Sequence, residues 1–214
     1  MKIKWLGHSA FLIMSDSGTR IITDPYKTDD ALKYGEIKES ADIVTVSHDQ
    51  HTDHNNVAAV QGNPQVVRKT TEAKGIKFKG IPTYHDDVGG SKRGSNTILC
   101  FEVDGVKMCH LGDLGHLLSD KQIAELGEVD VLFSPMAGFY TIDAATASQI
   151  CDRIKPKVII PMHFRNAKCD FPVTGVDEFL KGKDNVTKLD SSEVEFKSGE
   201  LPASTQIMVL KSAL

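Results

Sequence analysis

The chain has 214 residues, enough to bury one substantial core, and its 40% apolar and 25% charged residues with no long block of one sign fit a globular rather than a disordered or membrane class. A formal net charge of -4 supplies no broad electropositive field for a phosphate backbone, so nucleic acid is not expected as a main partner. Neither a signal-peptide-length apolar run at the N-terminus nor a membrane-spanning segment is visible, so the expectation is a single domain over 1–214, cytoplasmic and without a membrane partner. Oligomeric state is not legible, and Cys100, Cys109, Cys151 and Cys169 form no CxxC pair, which reads as reduced, mostly buried thiols.

In chain order, Ile3 to Leu6, Ala10 to Met14 and Arg20 to Thr23 are short strand-like runs separated by turn-forming Gly and Asp residues, an antiparallel start to a sheet. Ile43 to Val46 is a β-branched run of the kind buried on both faces. Asn55 to Val60 predicts a short helix closed by Gly62 and Pro64. Val66-Val67 and Phe78 to Ile81 follow as strands, then Thr97 to Val103 and Val106 to Leu111 flank Asp104-Gly105, a hairpin turn that needs positive φ angles.

Ser119 with Gln122 predicts a capping box on a helix that stops at Gly127. Val129 to Phe133 is a strand, Asp143 to Ile154 a helix, Val158 to Ile160 a buried strand and Val176 to Leu180 a helix. Strands return at Val186 to Leu189, Val194 to Phe196 and Ile207 to Leu210. This order predicts a layered α+β arrangement of sheets with helices outside.

The strongest local signal is Ser47-His48-Asp49-Gln50-His51-Thr52-Asp53-His54, directly after a buried strand. Imidazoles and carboxylates at this density make a poor core but suit zinc, manganese or iron. His85, Asp113 and His163 each follow a strand-like segment, so strand ends converging on one edge would gather them with the cluster.

These residues resemble the metallo-β-lactamase superfamily of metal-dependent hydrolases, most of all its short stand-alone members similar to the ascorbate-phosphate lactonase group. The resemblance runs from Trp5-Leu6-Gly7-His8-Ser9 and Asp24-Pro25 through His51-Thr52-Asp53-His54 and Gly112-Asp113 to Pro161-Met162-His163-Phe164. It implies a four-layer αββα sandwich and two divalent metal ions, zinc foremost and manganese or iron as substitutes. Asp53, His54 and His163 are implied for one metal; His51, His85 and a first histidine for the other; Asp113 bridges them. The family pattern His-x-His-x-Asp-His places its first histidine on Asp49, one residue after His48. Either a one-residue bulge returns His48 to the metal, or Asp49 is the ligand instead.

The implied chemistry is hydrolysis of a small ester or lactone, phosphorylated or not, by a hydroxide shared between the metals. Asp53 and Asp113 would serve it, with His116 as a leaving-group acid. A phosphodiester is the alternative substrate. The non-enzymatic alternative is a metal-binding sensor or binding module with little turnover, which the displaced first histidine keeps open. Asp24 is expected to accept the outer N–H of a ligating histidine, His8 to contact substrate, orient a ligand or bond locally, and His110 to be a hydrogen-bonded sheet residue. Lys92 and Arg93 form a basic pair able to attract an anionic small-molecule substrate or simply to be solvated, and Tyr140 is a candidate pocket wall.

Overall fold

In the computed structural model, which describes all 214 residues, two sheets face each other. The first contains β1 (Lys2–Gly7), β2 (Ala10–Met14), β3 (Arg20–Thr23), β4 (Ile43–Thr45) and β5 (Gln65–Val67). The second contains β6 (Thr71–Ala73), β7 (Ile76–Tyr84), β8 (Ser95–Val103), β9 (Val106–His110), β10 (Val131–Pro135), β11 (Val158–Met162), β12 (Val186–Lys188) and β14 (Gln206–Val209); β13 (Glu193–Glu195) returns to the first. The strand orders are β13-β1-β2-β3-β4-β5 and β12-β14-β11-β10-β9-β8-β7-β6.

The alternation of side chains along each strand builds both layers of core. Ile3, Trp5, Phe11, Ile13, Ile21 and Ile43 point from the first sheet into the cluster that also holds Phe78, Leu99, Phe133 and Ile160 of the second. Their neighbours Leu6, Leu12, Ile22 and Val44 point the other way, into a separate cluster with Tyr26, Leu32, Tyr34 and Ile37. Both faces of the first sheet are therefore dry, which matches its β-branched composition.

Helices α1 (Asp120–Leu126), α2 (Ala144–Ile154) and α3 (Val176–Leu180) all arise between strands of the second sheet, and α1 lies against β7. The predicted capping box of Ser119 and Gln122 forms, and Asp143 caps α2 by accepting the Thr146 N–H. Asp104 (φ 52°) and Gly105 (φ 73°) make the hairpin turn that their sequence implies.

Two facing sheets with helices on the outside give the expected layered sandwich, with one local difference from a uniform αββα layering. The outer face of the first sheet is covered by the irregular segment carrying Tyr26, Leu32, Tyr34 and Ile37 and by a single 3-10 turn, Val57–Ala59, where the helix was predicted. That turn has no side-chain cap and buries none of its residues, so no packed apolar face extends it into an α-helix, whereas the equally uncapped α3 buries Phe179. The four cysteines are unbridged, with the Cys100 and Cys109 sulfurs 3.3 Å apart across β8 and β9. No helix is long and apolar enough to cross a membrane.

Strand direction places the site. Strand β1 is antiparallel to β2 and β2 to β3, while β3 and β4 are parallel, so β1, β3 and β4 end on one side. In the second sheet β7, β9, β10 and β11 share a direction by the same reasoning. Hydrogen bonds between the sheets join these ends: His163 N–H to His8 O at 3.3 Å, Thr97 N–H to Ser47 O at 2.8 Å, and the His110 ring to Ser9 O at 3.0 Å.

Candidate metal centre

Six segments leaving these strands converge: His8 after β1, Asp24 after β3, Ser47 to His54 after β4, His85 after β7, Asp113 after β9 and His163 after β11. His8, Asp24 and His163 sit at φ 50°, 35° and 56°, conformations that turn the chain sharply and are uncommon for residues bearing a Cβ. Such strain is held in place by surrounding structure and is concentrated at functional sites.

The donor atoms form two groups, His48 with His85 and Asp113, and His8 with His54 and His163, each with its ligand atoms within 4.8 Å of one another. Asp113 Oδ2 stands between them, 3.1 Å from His85 Nε2, 3.3 Å from His54 Nε2 and 3.4 Å from His163 Nε2. Asp53 Oδ2 is 3.7 Å from His8 Nε2 and 3.9 Å from His54 Nε2. The His8 and His54 Nε2 atoms are themselves only 3.2 Å apart.

Several of these buried atoms make no hydrogen bond within the protein: His48 Nε2, both ring nitrogens of His85 (Nε2 lies near Asp113 Oδ2 without hydrogen-bond geometry), His163 Nδ1, Asp53 Oδ1 and Asp113 Oδ1. A fold normally satisfies such groups. Convergent imidazole and carboxylate donors of this kind fit divalent cations of the zinc, manganese or iron type.

Surrounding hydrogen bonds orient the donors. Asp24, fully buried, accepts the Ser47 N–H at 2.7 Å and the Ser47 hydroxyl at 2.6 Å, and its Oδ2 lies 3.2 Å from His54 Nδ1. The Ser47 hydroxyl also lies 2.9 Å from His48 Nδ1, which leaves the opposite nitrogen of each ring facing the centre. Asn96 accepts the Asp113 N–H at 2.9 Å and donates to Thr83 Oγ1 and Leu111 O, so one amide fixes the turn that carries Asp113.

That turn depends on Gly112, at φ 57°, where a Cβ would stand 2.3 Å from Asn96 Oδ1 and 2.5 Å from Ser47 Cβ. Gly112→Ala is expected to lower unfolding free energy by about 2–4 kcal/mol through overpacking and left-handed strain, read from denaturant unfolding. A wild-type midpoint in that variant would show that the turn relaxes freely.

Electrostatics differ around the centre. Burial, reinforced by His54, pushes His48 down to about 4, and burial with His163 does the same to His8, so both are neutral donors at neutral pH. Burial also opposes charge on His54, but Asp113 and Asp53 outweigh it and hold that ring well above its ordinary value. Asp113 and Asp53 stay ionised despite burial, held below the carboxylate range by His163 and His54 for the first and by His54 and His8 for the second.

The loop after β4 accommodates its extra residue by bulging outward. Asp49 and Gln50 are exposed while His48 is buried. The Asp49 carboxylate pairs with Arg68 Nε at 2.8 Å, on the solvent side, so the alternative of Asp49 as ligand is not what the geometry favours. His51 lies at the cavity wall with an exposed ring, its centroid 6.0 Å from that of His48 and 5.8 Å from that of His85, outside the two close groups.

His116 is a correction. Its Nε2 accepts the Tyr84 N–H at 3.1 Å, its Nδ1 lies 2.8 Å from Leu117 O, and its ring lines a neighbouring groove, not the cavity of the donors. Gly115 before it lies against the His85–Asp86 backbone, where an added Cβ would be 2.3 Å from Asp86 N. With both nitrogens committed to backbone, His116 is not positioned as a leaving-group acid. His110, in contrast, is the hydrogen-bonded sheet residue expected, with Ser9 O at 3.0 Å and the Gly112 N–H at 3.2 Å.

The chain matches known proteins over most of its length. A beta-lactamase superfamily domain matches residues 2–163. The chain belongs to that superfamily. A Thermotoga maritima structure, described as a Zn-dependent hydrolase of the metallo-beta-lactamase superfamily, is 36% identical, with a TM-score of 0.80 over 98% of this chain and 97% of that one. A metal-dependent hydrolase from Archaeoglobus fulgidus is 29% identical over 94% of this chain and 97% of its own. A metallo-hydrolase from Ignicoccus hospitalis is 25% identical, with a TM-score of 0.55 over 77% of this chain.

Within this beta-lactamase superfamily chain, one structural residue had no sequence signal beyond its type. Asp86, next to His85, is buried and accepts the N–H groups of Val88, Gly90, Lys92 and Arg93 at 3.0, 2.7, 2.8 and 2.8 Å. The Asp86-Asp87-Val88-Gly89-Gly90 run, rich in turn-forming residues, was the available hint.

Proposed function

We propose that this protein is a metal-dependent hydrolase that opens a small ester or lactone, phosphorylated or not, using two divalent cations with zinc foremost. The observation that carries the reading is Asp113 Oδ2 within 3.1–3.4 Å of three imidazole nitrogens from three other segments, the position of a bridging ligand. His48, His85 and Asp113 would hold one cation, with His51 at the wall as the remaining donor; His54, His163 and Asp53 would hold the other, with His8 beside them. Bound there, the cations would lower the pKa of a water and polarise the attacked carbonyl or phosphoryl oxygen.

The chain's own residues do the rest. Asp53 has an unpartnered Oδ1 able to accept a proton from the attacking water and aim its lone pair. Asp24 and Ser47 keep the tautomers of His54 and His48 that present Nε2 to the centre. Phe171 packs against His163 and His8, with ring centroids 6.2 and 5.6 Å away, and shields that side from water. The placement of His48 with His85 and Asp113 supports an enzyme over a metal-binding sensor, because the first donor group is complete without Asp49.

The test is metal content by mass spectrometry together with a screen of lactones and phosphodiesters with zinc, manganese and iron supplied separately. Two equivalents per chain and chelator-sensitive lactone or ester hydrolysis are expected. Turnover of phosphodiesters alone would replace the substrate class, and a chain holding no cation and turning over none of these would end the hydrolase reading.

A further inference from the structure

We propose that Arg93 is a binding site for an oxyanion on the substrate, a carboxylate or phosphoryl group remote from the bond that is cleaved. The inference rests on the preceding section only for where substrate sits.

The cavity over the donors has a volume of about 290 Å³, at the small end of the ~300–1,000 Å³ range of ligand sites, so its occupant is compact. Its three kinds of surface are chemically distinct. The floor is His85, Asp113 and His163, one wall is Tyr140 and Phe171 with ring centroids 5.6 Å apart, and the remaining side is Arg93 with Lys92.

Arg93 is neither tethered nor solvated like an ordinary surface arginine. Arg20, Arg68 and Arg153 each bind an oxygen of the protein, Ser40 O, Asp49 and Asp120 respectively, and Arg165, which binds none, is exposed and outside the cavity. The Arg93 guanidinium engages no protein oxygen; it lies 5.6 Å from the Tyr140 ring centroid, half-buried on the cavity side. Contact with an aromatic face orients the guanidinium without consuming its N–H donors, leaving the fork open for bidentate contact with an oxyanion.

The backbone beneath is fixed. The Asp86 carboxylate gathers the four N–H groups of its loop, including that of Arg93, and Gly94 O accepts the His85 N–H at 3.0 Å, closing the loop onto the donor segment. Arg93 is thus held in register with His85, which preorganises the distance between the anion and the reacting centre. Lys92, mostly exposed and 3.9 Å from Asp87, adds only a screened attraction.

The test is isothermal titration of wild type, Arg93→Ala and Arg93→Lys with butyrate, succinate and 3-phosphonopropionate, on metal-loaded and on chelated protein. Butyrate and succinate share a four-carbon chain, so their ratio reads the second carboxylate. Wild type is expected to bind succinate at least tenfold more tightly than butyrate, Arg93→Ala to abolish the ratio, and Arg93→Lys to keep part of it because a point charge lacks the fork. Tighter binding of 3-phosphonopropionate than of succinate would assign a phosphoryl group, the reverse a carboxylate. Equal binding of succinate and butyrate by wild type, or a ratio that survives in Arg93→Ala, overturns the proposal. If no cation is retained, the hydrolase reading fails while the ratio on chelated protein still decides this one. If cations load and esters turn over with a ratio near one, only this inference fails.

Discussion

Asp113→Ala is expected to reduce bound cation from two equivalents to one or fewer and to lower turnover by about a thousandfold, at least as much as losing a single transition-state contact costs. One oxygen of Asp113 lies within 3.4 Å of nitrogens from His54, His85 and His163, so its removal touches both donor groups together. Loss of any single histidine leaves the other group intact and should cost one cation. Mass-spectrometric metal content beside steady-state rates separates these outcomes. Undiminished occupancy and rate in Asp113→Ala would dispose of a shared carboxylate.

Asp24→Asn is expected to remove about 3–5 kcal/mol of stability from the chelated protein and to weaken cation affinity by about 10–100-fold, although Asp24 belongs to neither donor group. Asparagine tolerates the left-handed backbone at φ 35°, so the substitution tests the charge and not the turn. In its place an amide must face the Ser47 hydroxyl and the His54 ring, which together with the Ser47 N–H converge on this one carboxylate. Burial resists ionisation of Asp24, but His110 and His54 keep its carboxyl below the ordinary value of 3.8. Its contribution is therefore full above that value and is lost only as pH falls further, so the gap between variant and wild type should close in strong acid. Denaturant unfolding at several pH values and competition with a chromogenic chelator give the two numbers; a variant matching wild type in both would sink this account.

Much of the scaffold was legible because burial imposes period-two patterning on its strands and because the turns use residues with few alternatives. Asp104-Gly105 and the Ser119–Gln122 pair are the clearest cases, each fixed by local chemistry. Strand β6, Thr71–Ala73, was invisible: two of its three residues are exposed, and it exists through pairing with β7. The cover over the first sheet was equally opaque, since Tyr26, Leu32, Tyr34 and Ile37 follow neither a helical nor a strand period.

At the site, a rule of strand ends served well for His85, Asp113 and His163, whose positions follow from strand direction. It served poorly for His116, which is three residues from Asp113 in sequence yet has both ring nitrogens against backbone groups outside the donor cavity. Short spacing in a loop carries no fixed direction, unlike spacing in a helix or strand. His8 shows the converse. Distant in sequence from His54 and His163, it joins them because β1 shares the direction of β4 and the two sheets meet at that edge. No local pattern around Gly7-His8-Ser9 encodes that meeting.

The union of the two sheets at one edge has a mechanical corollary. His8, His48, Asp53 and His54 ride on the first sheet, while His85, Asp113 and His163 ride on the second, and each close donor group draws on both. A cation bound in either group would therefore rivet the halves of the sandwich, and its binding free energy would be shared with their docking. With cations bound, the molecule's two largest parts would be held in alignment by the same contacts that would do its chemistry.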